Sequence, residues 1–374
     1  MKNNVVVTGF LGYIGFNLTV TLLRLGYNVI GVDRKAENGE VKNFFKSTGF
    51  KCHGKFDCFK ADLACMQETK DFIAWCKQQK LKACTLINLC AETSIPQSLI
   101  NPTQTVGNNL LCTNSAVMIA DALKCTSFVH ATSITSIDNK SNWNPYSWSK
   151  RLCDDVILHN SLFSNTFYKG VIITNPFGSL AGVERNGNAF ERNLADCIYN
   201  GKTLELSVEN KGVYDNVFKR NFVSMYELIT VFLYTITMPA RCPCVQYVNG
   251  GVVRPDDFLA SYSITQLADY FSQYHDMDMR YVDSEDYTRI KDVPRYSPPR
   301  DGSYQDFLST LQDMPSILFE PPVWFSDEQK QMLKDLHTIF RNSSDKLYCQ
   351  SVRFDILYKT FILSQGYQHK CCIN

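Results

Sequence analysis

Short runs of β-branched and apolar residues alternate with longer amphipathic stretches through the first half of the chain. Such alternation places strands and crossover helices in turn. The runs predict strands over residues 4–8, 28–33, 58–61, 85–90, 127–132 and 171–174. Helical spacing of apolar positions fills the gaps over 13–25, 66–79, 103–123 and 146–162, each stretch long enough to cross back over a sheet face. Six strands in this rhythm predict an α/β fold with a doubly wound parallel sheet over residues 1–174. Beyond Asn175 the rhythm breaks into loops bearing Gly, Asn and Pro, with helices expected near 191–199, 225–237 and 263–275. Residues 175–300 therefore read as a smaller C-terminal α/β cap, within which the chain can return to the main sheet. In the extension over 301–374, Ser326 and Asp327 can cap a helix with Met332, Leu333, Leu336, Ile339 and Phe340 on one face. No task attaches to that extension.

The most specific chemical signal is Thr8-Gly9-Phe10-Leu11-Gly12-Tyr13-Ile14-Gly15, lying between the first strand and the first helix. Its glycines permit a tight turn and close backbone approach to a pyrophosphate, which the helix N-terminus would hold. Asp33 ends the second strand, where a carboxylate can accept from both ribose hydroxyls and repel a 2′-phosphate, favouring NAD. Arg34 and Lys35 follow directly and could instead receive a 2′-phosphate. The second signal is Tyr146-Ser147-Trp148-Ser149-Lys150, whose four-residue step puts phenol and ammonium on one helical face. A free phenol titrates near pH ~10, so acid/base work near neutrality needs a cation beside it, and Lys150 supplies one. Ser133, at the end of the fifth strand, can hydrogen-bond a reacting hydroxyl or carbonyl.

Composition removes other classes. With 38 Lys+Arg against 37 Asp+Glu there is no basic field for nucleic acid or an anionic membrane. The longest apolar stretch, 228–238, is too short and too polar to span a bilayer. The 15 cysteines are odd in number, sit largely inside apolar runs and include no CxxC, so they read as reduced thiols of a cytoplasmic protein without a metal site. The final Cys371-Cys372-Ile373-Asn374 has only the outline of a prenylation box.

On these motifs the chain resembles the extended short-chain dehydrogenase/reductase superfamily, in its NAD-dependent epimerase/dehydratase branch, and most of all nucleotide-sugar 4-epimerases. The resemblance covers about residues 3–300 and implies a Rossmann domain with NAD as cofactor. It implies that Gly9, Gly12, Tyr13, Ile14 and Gly15 form the phosphate loop, and that Asp33, with Arg34 beside it, meets the ribose. Asp62 and Leu63 match the pair that touches adenine, and Leu89, Cys90 and Ala91 match the backbone stretch passing the cofactor, with Pro176 further on. Asn109 matches a helix asparagine that steadies the site; Ser133, Tyr146 and Lys150 match the catalytic trio, the last two also meeting cofactor. Thr93, Asn175, Asn188, Arg220 and Arg295 are implied around the nucleotide-sugar substrate, Arg220 in the run Arg220-Asn221-Phe222-Val223 that resembles a pyrophosphate-gripping Arg-Asp-Phe-Val.

Two departures narrow the chemistry. Dehydratases of this family carry Asp-Glu after the catalytic Ser/Thr, whereas this chain has Ile134-Thr135, which disfavours elimination. The segment from Ser133 to Tyr146 is shorter than in extended members, so the sugar pocket is expected to be remodelled. The leading expectation is an NAD-dependent nucleotide-sugar epimerase. The alternatives are an NAD(P)H-dependent reductase or dehydrogenase of a keto-sugar or other carbonyl, and a non-catalytic dinucleotide-binding scaffold. A homodimer through helices 103–123 and 146–162 is the family expectation.

Overall fold

The computed structural model describes residues 4–37, 39–82, 85–136, 144–183, 190–207, 219–238, 245–250 and 261–282, with positions 327, 330–332, 334–336 and 338–339 near the C-terminus. These fall into two compact units.

The first unit holds the chain up to Ile173 together with Ile229–Gly250. Its strands are β1 (Asn4–Thr8), β2 (Asn28–Asp33), β3 (Phe56–Lys60), β4 (Thr85–Asn88), β5 (Ser127–Ser133) and β6 (Phe167–Ile173). Helices α1 (Tyr13–Arg24), α2 (Glu40–Thr48), α3 (Met66–Gln78), α4 (Ile95–Ile100), α5 (Pro102–Ala122) and α6 (Pro145–Ser161) connect them. All neighbouring strands pair in parallel, and a seventh strand from the returning chain completes the sheet beside β6. β1, β4 and β5 are buried along nearly their whole length, as strands of a parallel sheet covered on both faces should be, although β5 reaches this with Ser, His and Thr among its residues. The strand order runs outward in opposite directions from β1 and β4, which parts the crossovers at the carboxyl ends of those strands, the switch point at which sheets of this kind bind ligands. Thr8, Asp33, Asn88 and Ser133 all stand at that end of the sheet.

α5 and α6 pack side by side. Asn144 caps α6 by accepting the Ser147 N–H at 2.9 Å, and Pro145 occupies the first turn, where no backbone donor is needed. That cap fixes where α6 starts, and hence which face carries Tyr146 and Lys150.

The second unit contains Thr174–Leu228 and the later described residues outside the return segment. In chain order the remaining elements are β7 (Asn175–Phe177), α7 (Phe190–Asn200), β8 (Leu204–Ser207), β9 (Lys219–Ser224), α8 (Met225–Thr237), β10 (Gln246–Gly250), β11 (Ser261–Ser263), α9 (Ile264–Tyr274) and β12 (Met279–Val282). β10 is the seventh strand of the large sheet; α8 starts in the second unit and runs into the return segment of the first. The second unit keeps two small sheets, β11-β9-β7 and β12-β8, over a core that includes Leu194, Phe222, Leu267 and Phe271. In the C-terminal segment Met332, Leu336 and Ile339 are helical and buried. Among the described residues no helix is long and apolar enough to cross a membrane.

Several boundaries differ from those expected. β6 begins at Phe167 rather than 171, because Lys169 and Gly170 interrupt its apolar run while both lie inside the strand. β4 ends at Asn88 rather than 90, because the N–H groups of Leu89 and Cys90 turn to Thr8. β3 starts at Phe56 and ends at Lys60, one residue before the expected end, its register set by Val29 pairing with Phe56.

Candidate active site

The glycine loop joins β1 to α1. Gly9 has φ +68°, a conformation open to glycine at little cost, and a β-carbon there would stand 3.0 Å from the Leu89 carbonyl. A β-carbon on Gly15 would come within 2.1 Å of the Gly9 oxygen, so α1 can start this close to the turn only with glycine at that position. No side chain caps α1, and the first backbone bond of the helix runs from Phe16 N–H to Gly12 O at 2.8 Å. The result is a helix N-terminus laid close to a bare backbone turn, a cradle for phosphate that a β-carbon would fill.

Asp33 stands beside this cradle. Its Oδ2 accepts the Leu11 N–H at 3.2 Å and its Oδ1 the Lys35 N–H at 2.9 Å, so the carboxylate is fixed to the loop, half-buried, with further lone pairs open. Arg34 and Lys35 are exposed. Asp62 closes its own turn by accepting the Ala64 N–H at 2.9 Å, while Leu63 is buried in the main core. The Leu89, Cys90 and Ala91 stretch is half-buried, its first two N–H groups held by Thr8 Oγ1 at 3.2 and 3.3 Å. Cys90 Sγ lies 3.4 Å from Cys112 Sγ; that neighbouring thiol and burial hold the Cys112 thiol in its protonated form, with its pKa pushed up.

Asn109, fully buried on α5, clamps three segments. Its Oδ1 accepts the Glu92 N–H at 2.7 Å, and its Nδ2 is 3.0 Å from Glu92 O and 2.8 Å from Ser149 Oγ on α6. Ser149 Oγ is also 2.7 Å from the Tyr146 carbonyl. Glu92 in turn accepts the N–H groups of Thr93 and Ser94, leaving the Thr93 side chain exposed before α4.

Ser133, at the end of β5, has its hydroxyl 3.0 Å from Thr135 Oγ1. Lys150 is buried on α6 and donates to the Ala131 carbonyl at 2.7 Å. Tyr146 is half-buried one helical turn before it. Phenol, ammonium and strand-end hydroxyl thus belong to adjacent elements of one unit, at the carboxyl edge of the sheet.

In the second unit Asn175 and Pro176 lie on β7, paired in parallel with β9, and Asn175 Nδ2 donates to Asn221 O at 3.2 Å. Arg220 lies on β9 opposite Tyr262 of β11. Asn188 and Arg295 lie outside the described residues.

Polar residues that sequence reasoning passed over underlie the site: Thr8, Asn88, His130, Asp154 and Ser149. Thr8 and Ser149 had a signal, their places at the head of the glycine motif and within the Tyr146–Lys150 step. The others belong to runs that read as apolar strand or ordinary helix.

The sequence matches the family model "Epimerase", the NAD dependent epimerase/dehydratase family, over residues 5–249. No curated protein matches at a significant level. Among solved structures, a UDP-glucose-4-epimerase from Stenotrophomonas maltophila with bound NAD and formylated UDP-arabinopyranose is similar at TM-score 0.63 and 15% identity, over 98% of this chain and 100% of that one. The UDP-Glc/GlcNAc 4-epimerase of Campylobacter jejuni gives TM-score 0.58 at 14% identity, over 92% and 99% of the two chains. A UDP-N-acetylglucosamine 4-epimerase from Methanobrevibacter ruminantium, in complex with UDP-N-acetylmuramic acid, gives 0.58 at 18%, over 95% and 99%. At these identities the likeness is one of fold.

Proposed function

Because the chain belongs to the NAD dependent epimerase/dehydratase family, we propose that it is a nucleotide-sugar epimerase that oxidises its substrate transiently to a keto-sugar and reduces it again on the other face. The observation that carries this reading is the Ser133, Tyr146 and Lys150 set on β5 and α6, with Ile134-Thr135 following the serine where elimination chemistry would need an acid and a base. The fold likeness to UDP-sugar 4-epimerases supports it.

Gly9, Gly12 and Gly15 with the N-terminus of α1 would hold the pyrophosphate of NAD, and Asp33 its ribose. When bound there, NAD would supply the acceptor and donor of hydride for the sugar carbon. Tyr146 removes the proton from the reacting hydroxyl and later returns it. Lys150, buried with one hydrogen bond to Ala131 O, stabilises negative charge on the Tyr146 oxygen through their shared helical face. Ser133 holds the reacting oxygen in line with Tyr146, its own hydroxyl supported by Thr135. Asn175 on β7 and Arg220 on β9 would receive the nucleotide diphosphate.

We also infer a homodimer through α5 and α6, which expose Leu111, Trp148 and Leu158, with Leu162 and Phe163 in the turn that follows. A row of large apolar side chains on two adjacent helices is what an isologous helical interface buries.

The test is to incubate purified protein with UDP-glucose, UDP-N-acetylglucosamine and other nucleotide sugars and to separate the C4 epimers by chromatography while recording absorbance at the nicotinamide band. Epimer formation without net NADH accumulation, together with NAD released by denaturation, is the expected result. Stoichiometric consumption of external NADH or NADPH would replace this reading with a net reductase.

A further inference from the structure

Beneath the carboxyl edge of the sheet lies a run of buried polar groups that the chemistry above does not use. Thr8 Oγ1, which holds the N–H groups of Leu89 and Cys90, donates to Asn88 Oδ1 at 2.8 Å. That bond orients the Asn88 amide so that Nδ2 faces His130 Nδ1, 3.2 Å away. An amide NH2 can only donate, so Nδ1 must accept and the imidazole proton resides on Nε2. Nε2 points at Asp154 Oδ1, 3.7 Å off, and makes no closer bond among the described residues. Asp154 Oδ2 accepts Thr132 Oγ1 at 2.6 Å and lies 3.0 Å from Ser136 Oγ, which itself stands 2.7 Å from the carbonyl of Ser133. Every member of this run is less than a tenth exposed.

An ordinary core would fill these positions with apolar side chains, as β5 does at Phe128 and Val129. Burying an imidazole and a carboxylate together costs free energy that must be offset by their bonds. The run reaches from the loop that passes the cofactor cradle to the strand end that carries Ser133, bonded throughout except for the 3.7 Å approach of His130 Nε2 to Asp154 Oδ1. Asp154 also follows Lys150 by one helical turn, so Tyr146, Lys150 and Asp154 share a face of α6.

We propose that His130 and Asp154 are positioning residues: the Nε2–H tautomer of His130 ties Asn88 and Thr8 to Asp154, Thr132 and Ser136, so that the cofactor loop and Ser133 keep one register during the reaction. The proposal rests on the epimerase reading for its kinetic consequence and on the hydrogen-bond pattern alone for its tautomer.

Two measurements on the full chain test it. In nitrogen-15 histidine spectra of the wild-type protein, His130 should show the Nε2–H tautomer; an Nδ1–H tautomer would overturn the inference whatever the substrate proves to be. In epimerisation assays His130→Phe should lower kcat about 10- to 100-fold, with KM within about 3-fold and NAD retention intact. His130→Gln, which can accept from Asn88 and donate toward Asp154, should recover most of that loss. A His130→Phe kcat within 2-fold of wild type, or a Gln variant as slow as Phe, would leave only a packing role and end the proposal. Should His130→Phe fail to fold, Ser136→Ala carries the same test, since an unchanged kcat there breaks the link to Ser133. A wild-type protein that epimerises no nucleotide sugar would remove the functional reading and leave the tautomer result standing.

Discussion

Among the described residues of the first unit two lysines are buried, and they differ in what surrounds them. Lys169, on β6, donates to the carbonyls of Thr235 and Met238 at 2.8 and 2.9 Å, at the end of α8. Its ammonium is spent on a helix C-terminus, where cations are favoured, and burial pushes its pKa down to about 8. Lys150, on α6, has a single protein hydrogen bond among the described residues, to Ala131 O at 2.7 Å, and shares its helical face with Tyr146. An ammonium has three protons to donate, so Lys150 retains capacity for a ligand and Lys169 has little. Burial of a lysine is therefore no mark of function by itself; the unfilled donor capacity beside a reactive group is.

The comparison breaks most sharply at the reactive group. Tyr146→Phe should lower epimerisation kcat about 1,000-fold while the protein still releases NAD on denaturation. Undiminished turnover would remove Tyr146 from the chemistry and with it the distinction between the two lysines. Lys150→Met should cost about 100-fold in kcat, since the cation opposite a developing charge is lost, and should weaken NAD retention as well. Lys169→Met should leave kcat and KM within about 2-fold but lower unfolding free energy by about 1–2 kcal/mol, because helix-end carbonyls lose their donor. Urea unfolding of both Met variants, read beside their kinetics, would show whether the effects divide in this way.

The pH dependence sharpens the comparison at Lys169. The Lys169 pKa is about 8 in the folded chain against an ordinary 10.5. Between those values the unfolded chain carries more protons on this residue, so its contribution to stability rises with pH; below about pH 8 its full desolvation cost is present. Wild type should gain on Lys169→Met across that window by at most about 1.4 kcal/mol per pH unit. A constant difference between the two from pH 7.5 to 10 would show that the ammonium stays charged.

The parts legible in the sequence are those whose chemistry is close in the chain. The glycine loop and the Tyr146–Lys150 step need only a turn or one helical turn to assemble, so their spacing suffices. Lys169 shows the opposite: a charged residue followed by Gly170 reads as a break in an apolar run, yet its partners arrive from α8, far along the chain, and bury it. α2 went unread because it buries only Val41 and Phe44. The strands of the second unit are three to six residues long and pair across wide separations, as β7 does with β9, leaving too few alternations to show a period. His130 is a strand residue whose meaning depends on Asn88 and Asp154 from two other elements.

The return of the chain as β10 has a consequence for synthesis. β6 meets its second neighbour only after residues up to Gly250 have been made, a delay on the order of ten seconds at ordinary translation rates. Through that interval β6 is an edge strand, with unpaired backbone groups that could recruit a strand from another nascent chain. Lys169, still without the carbonyls of Thr235 and Met238, then stands in the strand as a hydrated charge, and a lysine within an edge strand is a known deterrent to such pairing. In the folded chain the same side chain ties down the end of α8.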